Sequence, residues 1–261
     1  MSTNGKKAAR VLLVGESWMR HTVHVKGFDS FSTSDYEEGA GIFIEALRSE
    51  GIDVSYIRAH EIGARFPETK KQLEEYNTVI ISDVGANSFL LGPATFVRSE
   101  VTANRLAAVA DYVRGGGGLV MVGGYLSFSG IDGKARYKAS PLAEVLPVDM
   151  LDHDDRVERP EGVGVTVERP EHLAVRGVAG AWPALLGYNR LVAKEGSTTV
   201  ARCDGDPLLV TCAAGEGRAV AFASDLAPHW APPSFVKWSH YARLWSNIVL
   251  WAGSVDLAGV V

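Results

Sequence analysis

The side chains with the most chemical capacity stand in four polar runs, each directly behind an apolar one. Glu16 and Ser17 follow the run 10–14, with His21, His24 and Lys26 further on. Asp83, Gly85, Asn87 and Ser88 follow 78–82, and Gly123, Gly124, Tyr125 and Ser127 follow 119–122. Asp225, His229 and Trp230 follow 218–224. Carboxylates with an imidazole and a phenol suffice for general acid/base work: one group takes a proton, another returns it, and the phenol donates toward developing negative charge. Glu16, Asp83, Tyr125, Asp225 and His229 are therefore the candidate catalytic residues. Ser17, His24, Lys26, Gly85, Asn87, Gly124, Ser127 and Trp230 are the candidate ligand-binding ones. Each taken singly also reads as an ordinary solvated loop residue.

Other chemistries fit less well. Gly123-Gly124-Tyr125-Leu126-Ser127 stands where a nucleophile elbow would, but the attacking Ser or Cys is replaced by a phenol. With an ordinary pKa near ~10, that phenol is a poor acyl nucleophile. Ser127 and Ser129 lack the elbow spacing. The only thiols, Cys203 and Cys212, lie in or beside a hairpin and read as structural. Asp152-His153-Asp154-Asp155 with Glu158 matches no cation-loop spacing and reads as a solvated acidic loop. A His21/His24/Asp225/His229 metal site would need the first and last polar loops to meet. Glycines 115–118 precede a strand rather than open a helix, so they read as a helix stop and not a phosphate cradle. No cofactor and no metal is assigned.

The elements that must position these residues alternate. Strand-like runs at 10–14, 52–57, 78–82 and 119–122 are separated by helical patterns at 68–76 and 102–114, and by one from a Ser34/Glu37 capping box to Glu50. The segment between the first strand and Tyr36 reads as a polar loop. This alternation predicts crossover units and a mainly parallel sheet, an α/β fold. In such sheets ligands bind beyond the carboxyl ends of the strands, which selects the same four polar runs. Residues 207–213 and 218–224 flank a tight turn, a hairpin. A last helix runs from Ser234 to about Trp251, carrying Phe235, Trp238, Ala242, Trp245 and Val249 on one face. Its apolar width exceeds what one sheet face needs, so a homo-oligomer is expected. Residues 1–9 read as a disordered lead, and 10–261 as one domain with an irregular insertion around 142–200.

Composition narrows the partners. The net charge of −5 leaves no basic footprint for nucleic acid and none for an anionic membrane surface. No stretch has the ~20 apolar residues of a membrane span, and residues 11–14 are too short an apolar run for a signal peptide. Two cysteines make no disulfide framework. A cytoplasmic protein with a small-molecule ligand is expected.

The runs GESW, SDVGANSFLL, GGGLVMVGGYLSFSG, LLGYN and SDLAPHW before a Trp-rich helix resemble the glutamine amidotransferase-like family of cytoplasmic proteins. That family is related to class I glutamine amidotransferases and to ThuA-like proteins. The resemblance implies a flavodoxin-like three-layer α/β/α sandwich. It also implies that Tyr125 takes the place of the nucleophilic Cys, His229 that of the triad His, and Ala231 that of the triad Glu. Two of three triad positions have lost their chemistry. Two readings follow: acid/base chemistry on a small polar metabolite, possibly sugar-derived, or a ligand-binding or scaffold protein that kept the fold.

Overall fold

The computed structural model describes residues 8–255. The expected disordered lead lies outside these except for Ala8 and Ala9; the Ala9 carbonyl accepts from the Asp53 N–H at 2.8 Å, so that end is already part of a ladder. Among the described residues the strands are β1 (Arg10–Gly15), β2 (Ser17–Lys26), β3 (Asp29–Glu38), β4 (Asp53–Ile57), β5 (Thr78–Ser82), β6 (Gly118–Val122), β7 (Val148–Met150), β8 (Arg156–Val163), β9 (Val165–Val167), β10 (Leu185–Asn189), β11 (Leu191–Ala193), β12 (Thr198–Cys203), β13 (Asp206–Ala214) and β14 (Gly217–Phe222).

Eight of them form one sheet in the order β4-β1-β5-β6-β14-β13-β12-β9. From β4 to β14 neighbours run parallel, and β13, β12 and β9 continue antiparallel. The register pairs Val11–Gly15 with Thr78–Ser82, and those with Gly118–Val122. All of β5 and β6 is buried, as continuous apolar runs must be when helices cover both faces. Helices Gly41–Ser49 and Tyr241–Ala252 pack on each other in one layer, and Lys70–Leu73 packs on Arg105–Arg114 in another. The result is the flavodoxin-like α/β/α sandwich. The β13–β14 hairpin closes through Gly215 and Glu216, with Gly215 at φ +65°.

The sequence reading needs correction in four places. Residues 17–38 are not a polar loop but a hairpin, β2 paired with β3 through ten residue pairs. The cause is visible in the chain: Met19, His21, Val23 and Val25 alternate with Arg20, Thr22, His24 and Lys26, a period of two that favours a strand. Gly27, at φ +62°, supplies the tight turn. Ser34 therefore lies in β3, and the helix opens only at Gly41, without a side-chain cap. Phe43 and Leu47 on it are buried.

The helical pattern at 68–76 shrinks to Lys70–Leu73, which Thr69 caps by accepting from the Gln72 N–H. The last helix is two pieces, Pro233–Val236 and Tyr241–Ala252. Its apolar width serves its own chain: Trp245 is fully buried, with Phe43 at 5.1 Å and Phe222 at 4.8 Å between ring centroids. The surplus that suggested a subunit contact on this helix is not there. The stretch around 142–200 is more regular than its Pro and Gly content suggests. It lends β9 and β12 to the main sheet and forms two ladders, β8 with β10 and β7 with β11. No helix among the described residues is long and apolar enough to cross a membrane.

Candidate functional site

At the carboxyl ends of β1 and β5 the backbone is strained. Glu16 has φ +50° and Asp83 φ +41°, in the left-handed region that non-glycine residues avoid. Such outliers persist only where the surroundings over-determine them, and they concentrate at functional sites. The surroundings here are explicit. Gly15 passes so near β5 that a β-carbon on it would lie 2.0 Å from the Ser82 carbonyl oxygen. The Glu16 N–H donates to that carbonyl at 3.1 Å, and the Tyr56 hydroxyl donates to the Gly15 and Glu16 carbonyls at 3.0 and 3.1 Å. The Asp83 N–H donates to Ser127 Oγ at 3.1 Å, while Asp83 Oδ1 accepts from the Leu126 N–H at 2.6 Å.

Three carboxylates converge: Glu16 and Asp225, both buried, and Asp83. Ser82 Oγ donates to Glu16 Oε2 at 2.5 Å. Burial, then the negative charges of Asp225 and Asp83, push Glu16 well above the usual carboxylate range. Burial and Asp225 raise Asp83 to about 6 against its Leu126 hydrogen bond. Facing the carboxylates is His229, whose Nδ1 lies 3.5 Å from Asp225 Oδ2. Asp225 raises the imidazole above its ordinary value, desolvation opposes this, and Asp83 and Glu158 add to the rise. Among the described residues no three His, Cys, Asp or Glu side chains are grouped as a metal site requires.

Aromatic rings stand beside this cluster. The Tyr125 ring meets His229 edge-on with centroids 4.4 Å apart, and Trp230 stacks on His229 at 5.5 Å. Glu158 ties the group together, accepting from the Tyr125 hydroxyl and from Trp230 Nε1, each at 3.0 Å. The Arg156 guanidinium lies over the Tyr125 ring at 4.7 Å and is itself held by Asp154. Burial and the Glu158 carboxylate raise the Tyr125 phenol, so it remains a neutral donor.

Glu16, Asp83, Tyr125, Asp225, His229 and Trp230 are thus brought together, with Gly124 against Asp83. Ser17 and Ser127 lie beneath, both buried: Ser17 Oγ accepts from the Ala59 N–H at 2.9 Å, and Ser127 Oγ accepts from the Asp83 N–H. Gly85 and exposed Asn87 sit at the turn into the helix Asn87–Leu90. His24 and Lys26 do not join the cluster. They lie far along β2, about 23–30 Å from its base at ~3.3 Å per residue, where His24 stacks on Phe31 and contacts Thr33. His21 is on the same hairpin beside Ser34, so the first and last polar loops do not form a metal site.

Sequence reasoning missed residues from 154–189. Asp155 is buried, not solvated; its carboxylate accepts from the Ser129 and Gly130 N–H groups and from Asn189 Nδ2. Asn189 Oδ1 in turn accepts from the Gly124 N–H at 3.0 Å, fixing the loop that carries Tyr125. The acidic run and LLGYN were visible signals, but nothing in their spacing pointed to β6. That loop is also no elbow: strain falls on Gly124 (φ +140°) and Phe128 (φ +53°), not on Tyr125. Cys203 is buried in β12, three strands from β6, and burial pushes its thiol up to about 12.

A family model described as "Putative glutamine amidotransferase" matches residues 10–254. The chain belongs to this family. Two Salmonella structures are similar to this glutamine amidotransferase-like chain along nearly its whole length. Cytoplasmic Protein STM1381 from Salmonella typhimurium LT2 is 49% identical with a TM-score of 0.90, covering 93% of this chain and 99% of its own. Cytoplasmic Protein STM3548 from Salmonella typhimurium is 46% identical, also at 0.90, covering 93% and 98%. A thua-like protein from Bacteroides uniformis shares the fold at 14% identity and a TM-score of 0.57, covering 100% and 98%. No curated protein matches this glutamine amidotransferase-like chain.

Proposed function

We propose that this glutamine amidotransferase-like protein acts by acid/base chemistry on a small polar metabolite at the Asp83–His229 cluster, and that it is not a glutaminase. The observation that carries this reading is the opposed tuning of neighbouring groups. Asp83, near 6, is ionised at neutral pH yet more basic than an ordinary carboxylate, which suits a general base. His229, whose protonated form Asp225 favours, suits the complementary acid. Neutral Tyr125 turns its one hydroxyl proton from Glu158 toward developing charge on substrate oxygen, and buried Trp230 braces the His229 ring from behind. Hydrolysis by an activated water and proton-transfer isomerisation both fit; a polyhydroxylated, sugar-derived substrate suits a site rich in acceptors.

Thioester chemistry lacks its parts. By the family resemblance Tyr125 stands at the nucleophile position and Ala231 at that of the triad Glu. A cytoplasmic location agrees with the names of the two Salmonella relatives.

A second reading, ligand binding without turnover, draws on the sealing of Glu16, whose side chain is 2% exposed and engaged by Ser82. One experiment separates the two. A thermal-shift screen of small polar metabolites, with and without divalent cations, is followed by NMR of each hit for turnover. Binding at 100 times the dissociation constant adds about 2.7 kcal/mol of stability, readily seen. The enzyme reading expects a hit that is converted, with conversion lost in Asp83→Asn and His229→Gln. Ammonia released from glutamine, surviving Tyr125→Phe, overturns it.

A further inference from the structure

The hairpin β2–β3 has two faces of opposite character. Cross-strand partners point the same way, so one face carries Trp18/Glu37, Arg20/Asp35, Thr22/Thr33, His24/Phe31 and Lys26/Asp29. Its charges pair among themselves, Arg20 bridging Asp35 at 3.0 Å and Glu37 at 3.1 Å. The other face carries Ser17/Glu38 at the root, where Glu38 pairs with Arg58, and beyond it Met19/Tyr36, His21/Ser34, Val23/Ser32 and Val25/Ser30, four pairs with no Lys, Arg, Asp or Glu. Alternation of this kind marks a sheet with one face in water and one covered. His60 meets the Tyr36 ring at the root, but among the described residues the outer part stays open: Val23 is 65% exposed and Val25 71%. A lone two-stranded ribbon is marginal in water, and its two ten-residue edges are unpaired.

A second unpartnered apolar surface lies on the body. The segment 91–101 exposes Leu91, Phe96 (74%), Val97 and Val101. Thr95 and Thr102 close it through their hydroxyls at 2.7 Å, and its charges, Arg98 and Glu100, pair with each other. The uncharged outer part of the ribbon face and a charge-neutralised apolar patch therefore coexist on one chain that does not bring them together.

We propose that the β2–β3 arm docks its Met19/Val23/Val25 face on the 91–101 surface of a second copy, reciprocally, in a two-fold dimer. Area favours a second copy over an unrelated partner. Beyond the root the free face, about 26 by 10 Å, covers roughly 260 Å². One arm laid on a surface buries about 520 Å² in total, the size of an incidental contact. Reciprocal exchange doubles this to about 1,000 Å², the size a specific interface must reach, and the two-fold closes the assembly. The arm springs from Glu16, and the Gly39 N–H at its other root donates to the Glu16 carbonyl at 2.9 Å, so docking bears directly on the strained strand end.

Light scattering coupled to size exclusion tests this on the full chain at micromolar concentration. The expected mass is about twice 28.0 kDa. Val25→Arg on the arm and Phe96→Asp on the body should each give the 28.0 kDa particle. Both positions are exposed in the single chain, so circular dichroism and melting below the dimer dissociation concentration should be unchanged. A wild-type monomer overturns the proposal, as does a dimer that survives Val25→Arg. A dimer lost in Val25→Arg but intact in Phe96→Asp overturns the 91–101 docking surface.

Discussion

Gly124 approaches Asp83 so closely that a β-carbon on it would lie 2.7 Å from Asp83 Oδ1. The glycine is required twice over, by this approach and by its φ of +140°. It lets β6 deliver the Leu126 N–H to Asp83 while Asn189 holds the Gly124 N–H from the other side. The carboxylate is thereby oriented by the same loop that carries Tyr125.

Gly124→Ala should therefore lower stability by about 1–3 kcal/mol, the order expected for a forbidden backbone conformation with a clash. Urea unfolding measures the loss. A neutral result would mean that the turn relaxes without displacing Asp83.

Asp83 makes stability fall as pH rises. Its folded value of about 6 lies above the unfolded ~3.9, so between these the native state binds more protons. Stability should decline from about pH 4 to pH 6 and then level. Asp83→Asn removes the cost of burying the charge while its side-chain oxygen can still accept from Leu126. The variant should be more stable than the wild type at pH 7 and no more stable near pH 4. Melting temperatures across this range check the sign; a gain that is equal at both pH values would assign the effect to something other than ionisation.

Much of this was legible in the chain. Buried strands are short apolar runs, and RVLLV, TVIIS and LVMV fixed both the parallel core and the ends where Glu16, Asp83 and Tyr125 gather. The hairpin was not, because Ser, Thr, His and Asp dominate 17–38 and composition suggested a loop; the alternation of Val23 and Val25 with His24 was the better signal. Glu158 and Asp155 were illegible for a different reason. Their roles arise from β8 pairing with β10 and from the Asp155–Asn189–Gly124 chain of hydrogen bonds, contacts between segments far apart in sequence.

Asp225 accounts for most of the rise at His229. Asp225→Asn should bring the His229 titration down toward 6.5, because the charge is lost while desolvation remains. In the wild type this pair stabilises the fold fully below pH ~6.5, and the contribution fades as pH rises through the raised folded value. Histidine ring resonances followed by NMR read the midpoint directly. An unchanged midpoint would assign the shift to Asp83 and Glu158 instead.

Cys203 should resist iodoacetamide in the native protein, since burial and the charges of Asp204 and Asp206 hold its thiol near 12. Mass spectrometry before and after denaturation gives the comparison. Rapid native labelling at Cys203 would reopen a cysteine-based reaction.

Glu158 joins Tyr125 to Trp230, and the two contacts are unequal. Tyr125→Phe removes a hydroxyl from a partly solvated ring, which water can replace at Glu158, so a loss of about 0.5–1 kcal/mol is expected. Glu158→Ala strips the acceptor from Trp230, which is buried, and leaves its Nε1 unpaired, a cost of about 1–3 kcal/mol. Because both donors meet one carboxylate, the effects should not add. In a Glu158→Ala background Tyr125→Phe should cost nothing further, its hydrogen bond being already gone. Turnover or ligand affinity behaves differently if Tyr125 donates to substrate: the hydroxyl then matters in both backgrounds. A double-mutant cycle read once by urea unfolding and once by ligand-induced melting shift separates the two roles. Coupling in both readouts would confine Tyr125 to bracing Glu158, and coupling in stability alone would place its hydroxyl on the ligand.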